Sequence, residues 1–299
     1  MCRRKWLGVV GLLSACAMQT ASPSPPAATI AAIEKAAPTA AGVPIDLRAA
    51  VPIDEDLRQQ YASCDARDRF RDLALPVRNA SGRIVWFGCR TDPNHLELLA
   101  NFPATATSAR AIVFTSKLGL DLDGSWIACN RAGITDHCGT TLMLPALEGE
   151  RCVIPSEDRS RCVPVDSDKI PYIVLPAAGP RGSNASEFLT ATGIRPGDVG
   201  VVIYRGRIVP VIAGDTGPFY KIGEGSMGLH RLLGIEFCKT RDAQQNCTST
   251  KPGSSIASGV TTIIFPGTRA SGLNIDTIGP DTSARGQLLY NALARAPPN

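Results

Sequence analysis

The stretch from Ile212 to Gly225 reads I-A-G-D-T-G-P-F-Y-K-I-G-E-G and holds two acidic residues, Asp215 and Glu224, among turn-forming residues. Glycines beside an acidic residue let the backbone approach a ligand closely. Glycoside hydrolysis commonly needs one carboxyl group to protonate the leaving oxygen and a second to activate water or attack the sugar. Asp215 and Glu224 are therefore the candidate catalytic pair. The structural alternatives are an aspartate that caps its own turn and a glutamate that favours a helix N-terminus.

Four further residues are candidates for substrate contacts. Asp121 and Asp123 alternate with leucines in L-D-L-D-G-S, which predicts that both carboxylates leave one face of a strand. Such a face is complementary to ammonium groups, whereas a plain or calcium-like turn is the other interpretation of D-x-D-G. Lys221 lies between the two proposed catalytic acids and is placed either to lower a carboxyl pKa or to face solvent. Tyr220 is a candidate sugar platform or a core residue.

The N-terminus has the pattern of an export signal. Three basic residues at 3–5 precede a short apolar run, which is too short to span a bilayer, and the run ends in Leu-Ser-Ala-Cys. This ending is typical of a bacterial lipobox and predicts that residues 1–15 are removed and that Cys16 is lipidated. An ordinary signal peptide is the alternative. Residues 16–45 are rich in Ala, Pro and Ser and are expected to form a tether, so the protein is expected to be anchored to the outer membrane or cell surface.

The charge and aromatic content of the chain limit the classes of binding partner that are expected. Loss of the three basic residues within 1–15 lowers the formal charge from +4 to +1, and only 5% of residues are aromatic. A nucleic-acid binder is expected to show a strongly basic face with interleaved aromatics, so no nucleic-acid partner is expected. We expect a monomer whose partners are a polysaccharide substrate and the membrane that holds the anchor.

The cysteines predict disulfides rather than a metal site. Eight remain once Cys2 is cleaved off and Cys16 is lipidated, and an even number in an exported chain favours disulfides. Neighbours in sequence are the expected partners, because three of the four pairs formed in this way would each close one short loop. No C-x-x-C pair occurs and there are only three histidines, so neither a metal nor a cofactor is expected. The eight are Cys64, Cys89, Cys129, Cys138, Cys152, Cys162, Cys238 and Cys247.

Residues 46–299 are expected to form a single catalytic domain that is mainly β. Short β-branched runs bounded by turns predict strands, and Arg205-Gly206 predicts a tight hairpin turn. Helical periodicity is limited to 226–233 and 287–293. Together these features favour a β-barrel or sandwich with long disulfide-stapled loops and a few short helices. The predicted strands are 84–87, 111–115, 172–175, 199–204, 208–213 and 261–265.

Several of these blocks resemble the family 75 chitosanases. The likeness covers Y-I-V-L-P at Tyr172, R-P-G-D-V-G-V-V-I-Y at Arg195, I-A-G-D-T-G-P at Ile212, I-G-E-G-S at Ile222 and T-I-I-F-P-G at Thr262. The D-x-D-G segment within 117–125 is similar to a segment that lies upstream in that family, so the resemblance spans about 110–268. The G-D-T-G-P turn also resembles active-site turns of small double-psi β-barrels, which is the barrel type expected by analogy.

The resemblance implies endo-hydrolysis of β-1,4-linked glucosamine polymers with inversion at the anomeric carbon. The essential aspartate and glutamate of the family fall on Asp215 and Glu224. Inverting enzymes hold the two carboxyl groups ~6.5 to 9.5 Å apart, which leaves room for a water molecule. We assign Glu224 as the general acid and Asp215 as the general base, although the motif does not order the two roles.

The chain departs from the family pattern before 110, after 268 and in the 238–247 insertion, and Gly225 stands where alanine is more common. Two other functions therefore stay open. One is a peptidoglycan-directed glycan hydrolase or lytic transglycosylase, since that glycan is also a β-1,4-linked amino sugar. The other is a non-catalytic envelope glycan-binding lipoprotein, which would not need both acids. A protease is disfavoured, because the chain has neither a G-x-S-x-G nor an H-E-x-x-H motif.

Overall fold

The computed structural model describes residues 110–125, 127–128, 139–145, 162–178, 187–218 and 222–295, together with the backbone of four short strands nearer the N-terminus. Those four strands are β1 (Val51–Pro52), β2 (Leu73–Arg78), β3 (Ile84–Cys89) and β4 (Leu98–Phe102). The predicted signal peptide, Cys16, the tether, Tyr220 and Lys221 lie outside the described residues.

Six strands close into a barrel of mixed direction. Around the barrel the order is β5, β11, β8, β10, β9, β14 and back to β5. The β10–β8 and β11–β5 pairs are parallel and the others antiparallel. Closure leaves no free barrel edge, so the prediction of a mainly β fold built on a small barrel is confirmed. The finer double-psi assignment stays a prediction. The barrel strands are β5 (Ala111–Asp121), β8 (Tyr172–Ala178), β9 (Val199–Tyr204), β10 (Arg207–Pro218), β11 (Glu224–Ser226) and β14 (Ile256–Ile264).

Alternation along the barrel strands produces two apolar clusters, one on each face. Leu118, Ile173 and Val211 belong to the cluster that fills the barrel. Val174 and Ile212 belong to the cluster on the outer face, which is covered by the C-terminal helix and by the β6–β7 hairpin. A six-stranded barrel is narrow enough to be filled by side chains, so a ligand site has to lie on the outer face or at an end.

The helices are α1 (Glu187–Thr192), α2 (Met227–Leu232) and α3 (Ile278–Arg295). Helix α2 confirms the prediction for 226–233, and its N-cap Ser226 accepts a hydrogen bond from the Leu229 N–H at 3.1 Å. The helix predicted at 287–293 covers only the second half of α3. The first half contains Pro280 in its first turn, where proline is tolerated, and Gly286, where a Cβ would lie 2.8 Å from the Gly200 carbonyl oxygen. None of the helices in the described part of the chain is long and apolar enough to cross a membrane.

Strands β2 and β3 pair antiparallel, and three further hairpins complete the described fold. The predicted turn between β9 and β10 is present, with Arg205 at φ 46° and Gly206 at φ 76°, as a two-residue type I′ turn requires. Strands β6 (Met143–Pro145) and β7 (Cys162–Pro164) form a second hairpin. Strands β12 (Cys238–Arg241) and β13 (Cys247–Thr250) form the third.

One predicted disulfide is confirmed and joins neighbours in sequence. Cys238 and Cys247 are bonded across the β12–β13 hairpin. Cys162 is disulfide-bonded as well. The side chains of the remaining candidates lie outside the described part of the chain, so the other predicted pairings stay predictions. Those candidates are Cys64, Cys89, Cys129, Cys138 and Cys152.

Candidate functional site

A β-bulge at Gly214 turns Asp215 onto the outer face of the barrel. In the β10–β8 pairing Ala213 lies opposite Ile173, but the next partner, Val174, lies opposite Asp215, so Gly214 is the extra residue. Without it, Asp215 would share the inward face of Ala213, since strand side chains alternate. A Cβ at Gly214 would lie 2.7 Å from the Cβ and Cγ of buried Tyr172, so only glycine fits at this bulge.

The Asp215 carboxylate is buried and strongly hydrogen-bonded. Only 5% of the residue is exposed. Its Oδ1 accepts from the Thr141 N–H at 2.7 Å, from the Thr141 hydroxyl at 2.9 Å and from the Thr216 N–H at 2.8 Å. Burial raises the pKa of Asp215, while these donors act in the opposite direction because they stabilise the anion.

Glu224 lies on the same outer face, one strand away from Asp215. It is the first residue of β11 and pairs with Val174 on one side and with Gly119 on the other. Val174 is thus the register partner of both acids. Neighbouring strands lie about 4.8 Å apart, so the Cα atoms of the two acids, two strands apart, are about 9.5 Å from one another. This Cα spacing allows the two carboxyl groups to stand ~6.5 to 9.5 Å apart, as they do in inverting glycosidases.

The Glu224 side chain lies against two glycines. A Cβ at Gly119 would lie 3.3 Å from Glu224 Cγ, and a Cβ at Gly217 would lie 3.6 Å from its Oε2. The same added Cβ at Gly119 would lie 3.5 Å from Lys117 Nζ, so a cation shares this side of β5 with Glu224. The absence of side chains at these two positions therefore makes room for the Glu224 carboxyl group itself.

Asp121 and Asp123 join this face in a way that strand alternation does not predict. Asp121 ends β5 opposite Ser226, whereas Asp123 lies in the turn that follows, which Gly124 continues at φ 75°. The Asp123 N–H donates to Asp121 Oδ1 at 3.2 Å, as in an aspartate-stabilised turn. The prediction that both residues lie on one strand is thus wrong for Asp123, and the turn interpretation of D-x-D-G describes the backbone better. The turn still brings the two carboxyl groups together.

The three aspartates form one compact group, which we call the aspartate cluster: Asp121, Asp123 and Asp215. One carboxyl oxygen from each lies within 4.8 Å of those of the others. Burial raises the pKa of Asp121 to about 6, with a further contribution from the charge of Asp215. Burial raises the pKa of Asp123 to about 8, and the charges of Asp121, Asp215 and Glu224 add to it. At neutral pH Asp123 is therefore the protonated member, and it donates a hydrogen bond to Asp215.

Tyr172 supports the cluster from below. The residue is fully buried, and its hydroxyl is a donor 2.9 Å from Asp121 Oδ2 and 2.8 Å from the Asp123 carbonyl oxygen. Burial, together with the negative charge of Asp121, raises the pKa of Tyr172 well above its ordinary value, so it stays a proton donor. Carboxylate oxygens are ligands that hard cations prefer. The shared proton and the Tyr172 hydroxyl, however, account for the close approach of the three aspartates without an ion, and we assign no metal here.

Three residues of the site were not singled out from the sequence. Thr141 lies 74 residues before Asp215, and no local pattern marks that contact. Tyr172 has the pattern of an ordinary strand residue, and Lys117 belongs to the D-x-D-G segment without standing out in it. Lys117 is a cation that the described structure places beside Glu224, whereas the prediction for Lys221 falls outside the described residues.

No protein-family model and no curated protein matches the chain. The fold and site together define a small closed barrel that carries a cluster of four acidic residues on its outer face. The chemistry of such a site depends on the separation of its acids, on their protonation and on the space beside them.

Proposed function

We propose that the protein is an endo-acting glycosidase that hydrolyses β-1,4 linkages in chitosan with inversion. The observation that carries the proposal is the register of the two acids, which flank Val174 on one face of the barrel. An inverting enzyme uses one carboxyl group to activate a water molecule on one side of the sugar and a second to protonate the leaving oxygen on the other side. The two groups stand ~6.5 to 9.5 Å apart, a separation that this register allows. The motif resemblance to family 75 chitosanases supports the same reaction.

The shared proton suggests how the two roles divide. Asp215 accepts a hydrogen bond from protonated Asp123, so these two aspartates hold one proton at neutral pH. A general acid needs a proton at the working pH, whereas a general base needs an ionised carboxylate. Glu224 lies beside Lys117 and against Gly119 and Gly217, and we place the attacking water beside its carboxyl group. We therefore assign the Asp123–Asp215 pair as the acid, in which the proton moves from Asp123 to Asp215 as Asp215 protonates the leaving oxygen, and Glu224 as the base. This is the reverse of the assignment made from the motifs.

The charge of the site favours a cationic substrate. Three aspartates and Glu224 lie on one face, and the charge of Glu224 reaches both Asp121 and Asp123. Glucosamine units carry ammonium groups when protonated, and carboxylates that line a groove attract them. Asp121 then binds substrate and does not transfer a proton.

The proposal is tested by the release of reducing ends from chitosan by wild type, Asp215→Asn and Glu224→Gln. Each substitution is expected to lower kcat ~10²- to 10⁴-fold, since general acid or base catalysis contributes about this much. Asp276→Asn is the matched control, because Asp276 is exposed and far along the chain from the site. Wild type that binds chitosan without releasing reducing ends would instead indicate a non-catalytic glycan-binding protein.

A leaving-group series separates the two roles. A substrate with an activated leaving group needs less help from a general acid, so Asp215→Asn is expected to keep more of its activity on such a substrate than Glu224→Gln does. The opposite ranking would restore Glu224 as the acid.

We also propose that the mature protein is an exported monomer anchored through lipidated Cys16. The proposal depends on the basic, apolar and Leu-Ser-Ala-Cys pattern of the first 16 residues. Wild type is expected in the membrane fraction of the producing cells, and Cys16→Ser in the soluble fraction outside the cytoplasm. Retention of Cys16→Ser in the membrane fraction would contradict the anchor.

A further inference from the structure

A cavity opens beside the aspartate cluster, on the other side of Thr141. It has a volume of about 640 Å³. Thr141 lines this cavity and also donates two hydrogen bonds to Asp215 through its N–H and its hydroxyl. Thr141 therefore links the cavity to the proposed acid, and a ligand in the cavity lies one residue away from Asp215.

Two arginines line the cavity, and their backbones are held in place by one buried carboxylate. Asp198 is 1% exposed. Its Oδ2 accepts from the Arg195 N–H at 2.8 Å, and its Oδ1 accepts from the N–H groups of Arg269 at 3.0 Å and Thr268 at 2.8 Å. Asp198 therefore has a structural role. The Asp198 carboxylate accepts hydrogen bonds from backbone N–H groups beneath the cavity, whereas Arg195 and Arg269 above it are exposed.

Gly197 makes room for the Arg269 side chain. Gly197 has φ 97°, and a Cβ there would lie 2.7 Å from the Cγ and Cδ of Arg269. The Arg269 side chain can therefore lie across this loop, where its Nη1 donates to the Pro196 carbonyl oxygen at 3.4 Å. In the part of the chain that the structure describes, no carboxylate forms an ion pair with the guanidinium of Arg195 or Arg269.

The remaining lining is largely apolar. Met143 and Leu189 contribute hydrophobic surface beside the two arginines. An arginine pair recognises a carboxylate through charge-assisted and often bidentate hydrogen bonds. Apolar walls next to that pair suit a short alkyl group that carries the carboxylate. The charge of the cavity lining is thus opposite to that of the acidic face on the other side of Thr141.

We propose that this cavity is a subsite for a carboxylate carried on a short alkyl substituent of an amino sugar next to the scissile bond. The inference rests on the proposed glycosidase function and narrows its substrate class to β-1,4-linked amino-sugar glycans that bear free carboxylates, such as peptidoglycan strands from which the stem peptides have been removed. Chitosan has the backbone but lacks the group that the arginines hold. Chitosan is then the poorer of the two substrates.

The test measures binding without turnover, by calorimetry on Glu224→Gln. Two matched tetrasaccharides are compared: one of N-acetylglucosamine only, and one in which alternate sugars carry an O-lactyl carboxylate. The carboxylated ligand is expected to bind about 10- to 100-fold more tightly, as a hydrogen-bonded charge pair allows. Arg195→Gln and Arg269→Gln, added to the same background, are expected to bring this ratio towards one. Lys239→Gln, which removes an exposed charge from β12, is the matched control and is expected to leave the ratio unchanged.

Lysine variants serve as a control for a loss of folding in the glutamine variants. Arg195→Lys and Arg269→Lys keep the charge but lose the bidentate geometry, so they are expected to retain an intermediate ratio. Equal affinity for the two tetrasaccharides overturns the inference, as does a preference that survives both glutamine variants. Separate titrations with lactate and with inorganic phosphate distinguish a sugar-borne carboxylate from a free anion. Phosphate binding that the glycan does not displace also overturns the inference.

The failure of the inference and that of the proposed function are distinguishable. If wild type cleaves neither glycan but the arginine-dependent preference is present, the proposed function fails and the cavity assignment stands. If wild type cleaves both glycans equally and the preference is absent, the reaction stands and the subsite assignment is wrong.

Discussion

Asp123 and Asp215 share a hydrogen bond that determines where the site holds a proton. The pKa of Asp123 rises to about 8 because the side chain is buried beside three other acidic groups. Asp215 is fixed as the acceptor by two backbone N–H donors and the Thr141 hydroxyl. The proton therefore belongs to the pair at neutral pH, and Asp123 acts as a positioning residue for the proposed acid.

This pair makes stability dependent on pH in a defined direction. The folded state raises the pKa of Asp123 from an ordinary 3.8 to about 8, so the native protein binds this proton more tightly than the unfolded chain does. The resulting stabilisation is fully present below about pH 4 and is lost as the pH rises through about 8. Asp121, with its pKa raised to about 6, contributes over the lower part of the same range.

Asp123→Asn removes the titration but keeps a donor for Asp215. The free energy of unfolding, measured in urea at a series of pH values, is expected to fall less steeply between about pH 4 and 8 in this variant than in wild type. The high-pH limb of kcat is expected to shift as well, since the proton behind Asp215 is gone. Superimposable stability profiles of the two proteins would show that Asp123 does not hold the proton.

At the scale of the elements, the bulge in β10 is the feature that makes the site. It shifts the register of β10 against β8 by one residue and so changes the face on which Asp215 lies. The sequence shows two glycines around Asp215, but nothing marks which of them is the extra residue. The flanking hairpin was predictable because Arg205-Gly206 suits one turn type, whereas the bulge depends on the packing of Gly214 against Tyr172.

Gly214→Ala is expected to destabilise the protein by about 1 to 3 kcal/mol, because its Cβ overlaps Tyr172, which is buried and cannot move away. It should also lower activity, since Tyr172 holds the aspartate cluster. Urea unfolding measures the first effect. Gly139→Ala is the control, because an added Cβ there meets nothing within 4 Å. Equal unfolding free energies for Gly214→Ala and wild type would mean that the bulge relaxes without cost.

At the scale of the whole molecule, barrel closure brings together residues that are distant in sequence. Strand β11 lies between β5 and β8, so the Glu224 that follows the G-D-T-G-P turn ends beside the D-x-D-G segment about a hundred positions earlier. Five of the six barrel strands, one hairpin, one disulfide and the identity of the four acids were predictable from local patterns, whereas β11 was not. The contact of Thr141 with Asp215 and the two-arginine cavity were not, because they arise from long-range packing.

The same closure gives the molecule two adjoining regions of opposite charge. The aspartate cluster lies on one side of Thr141 and the cavity lined by Arg195 and Arg269 on the other. A glycan that lies across both regions would place an ammonium or amide group at the acids and a carboxylate at the arginines. This arrangement favours a substrate with both kinds of group over one with a single sign of charge.

The central claim is that Asp215 and Glu224 hydrolyse a β-1,4-linked amino-sugar glycan with inversion. Proton NMR of the first products released from chitosan, recorded before mutarotation, tests it most directly. We predict that wild type releases α-anomers from the β-linked chain, that Asp215→Asn and Glu224→Gln release almost none, and that Asp276→Asn behaves as wild type. Products that appear first as β-anomers, or wild-type protein that releases no products from either chitosan or the carboxylated glycan, would contradict it.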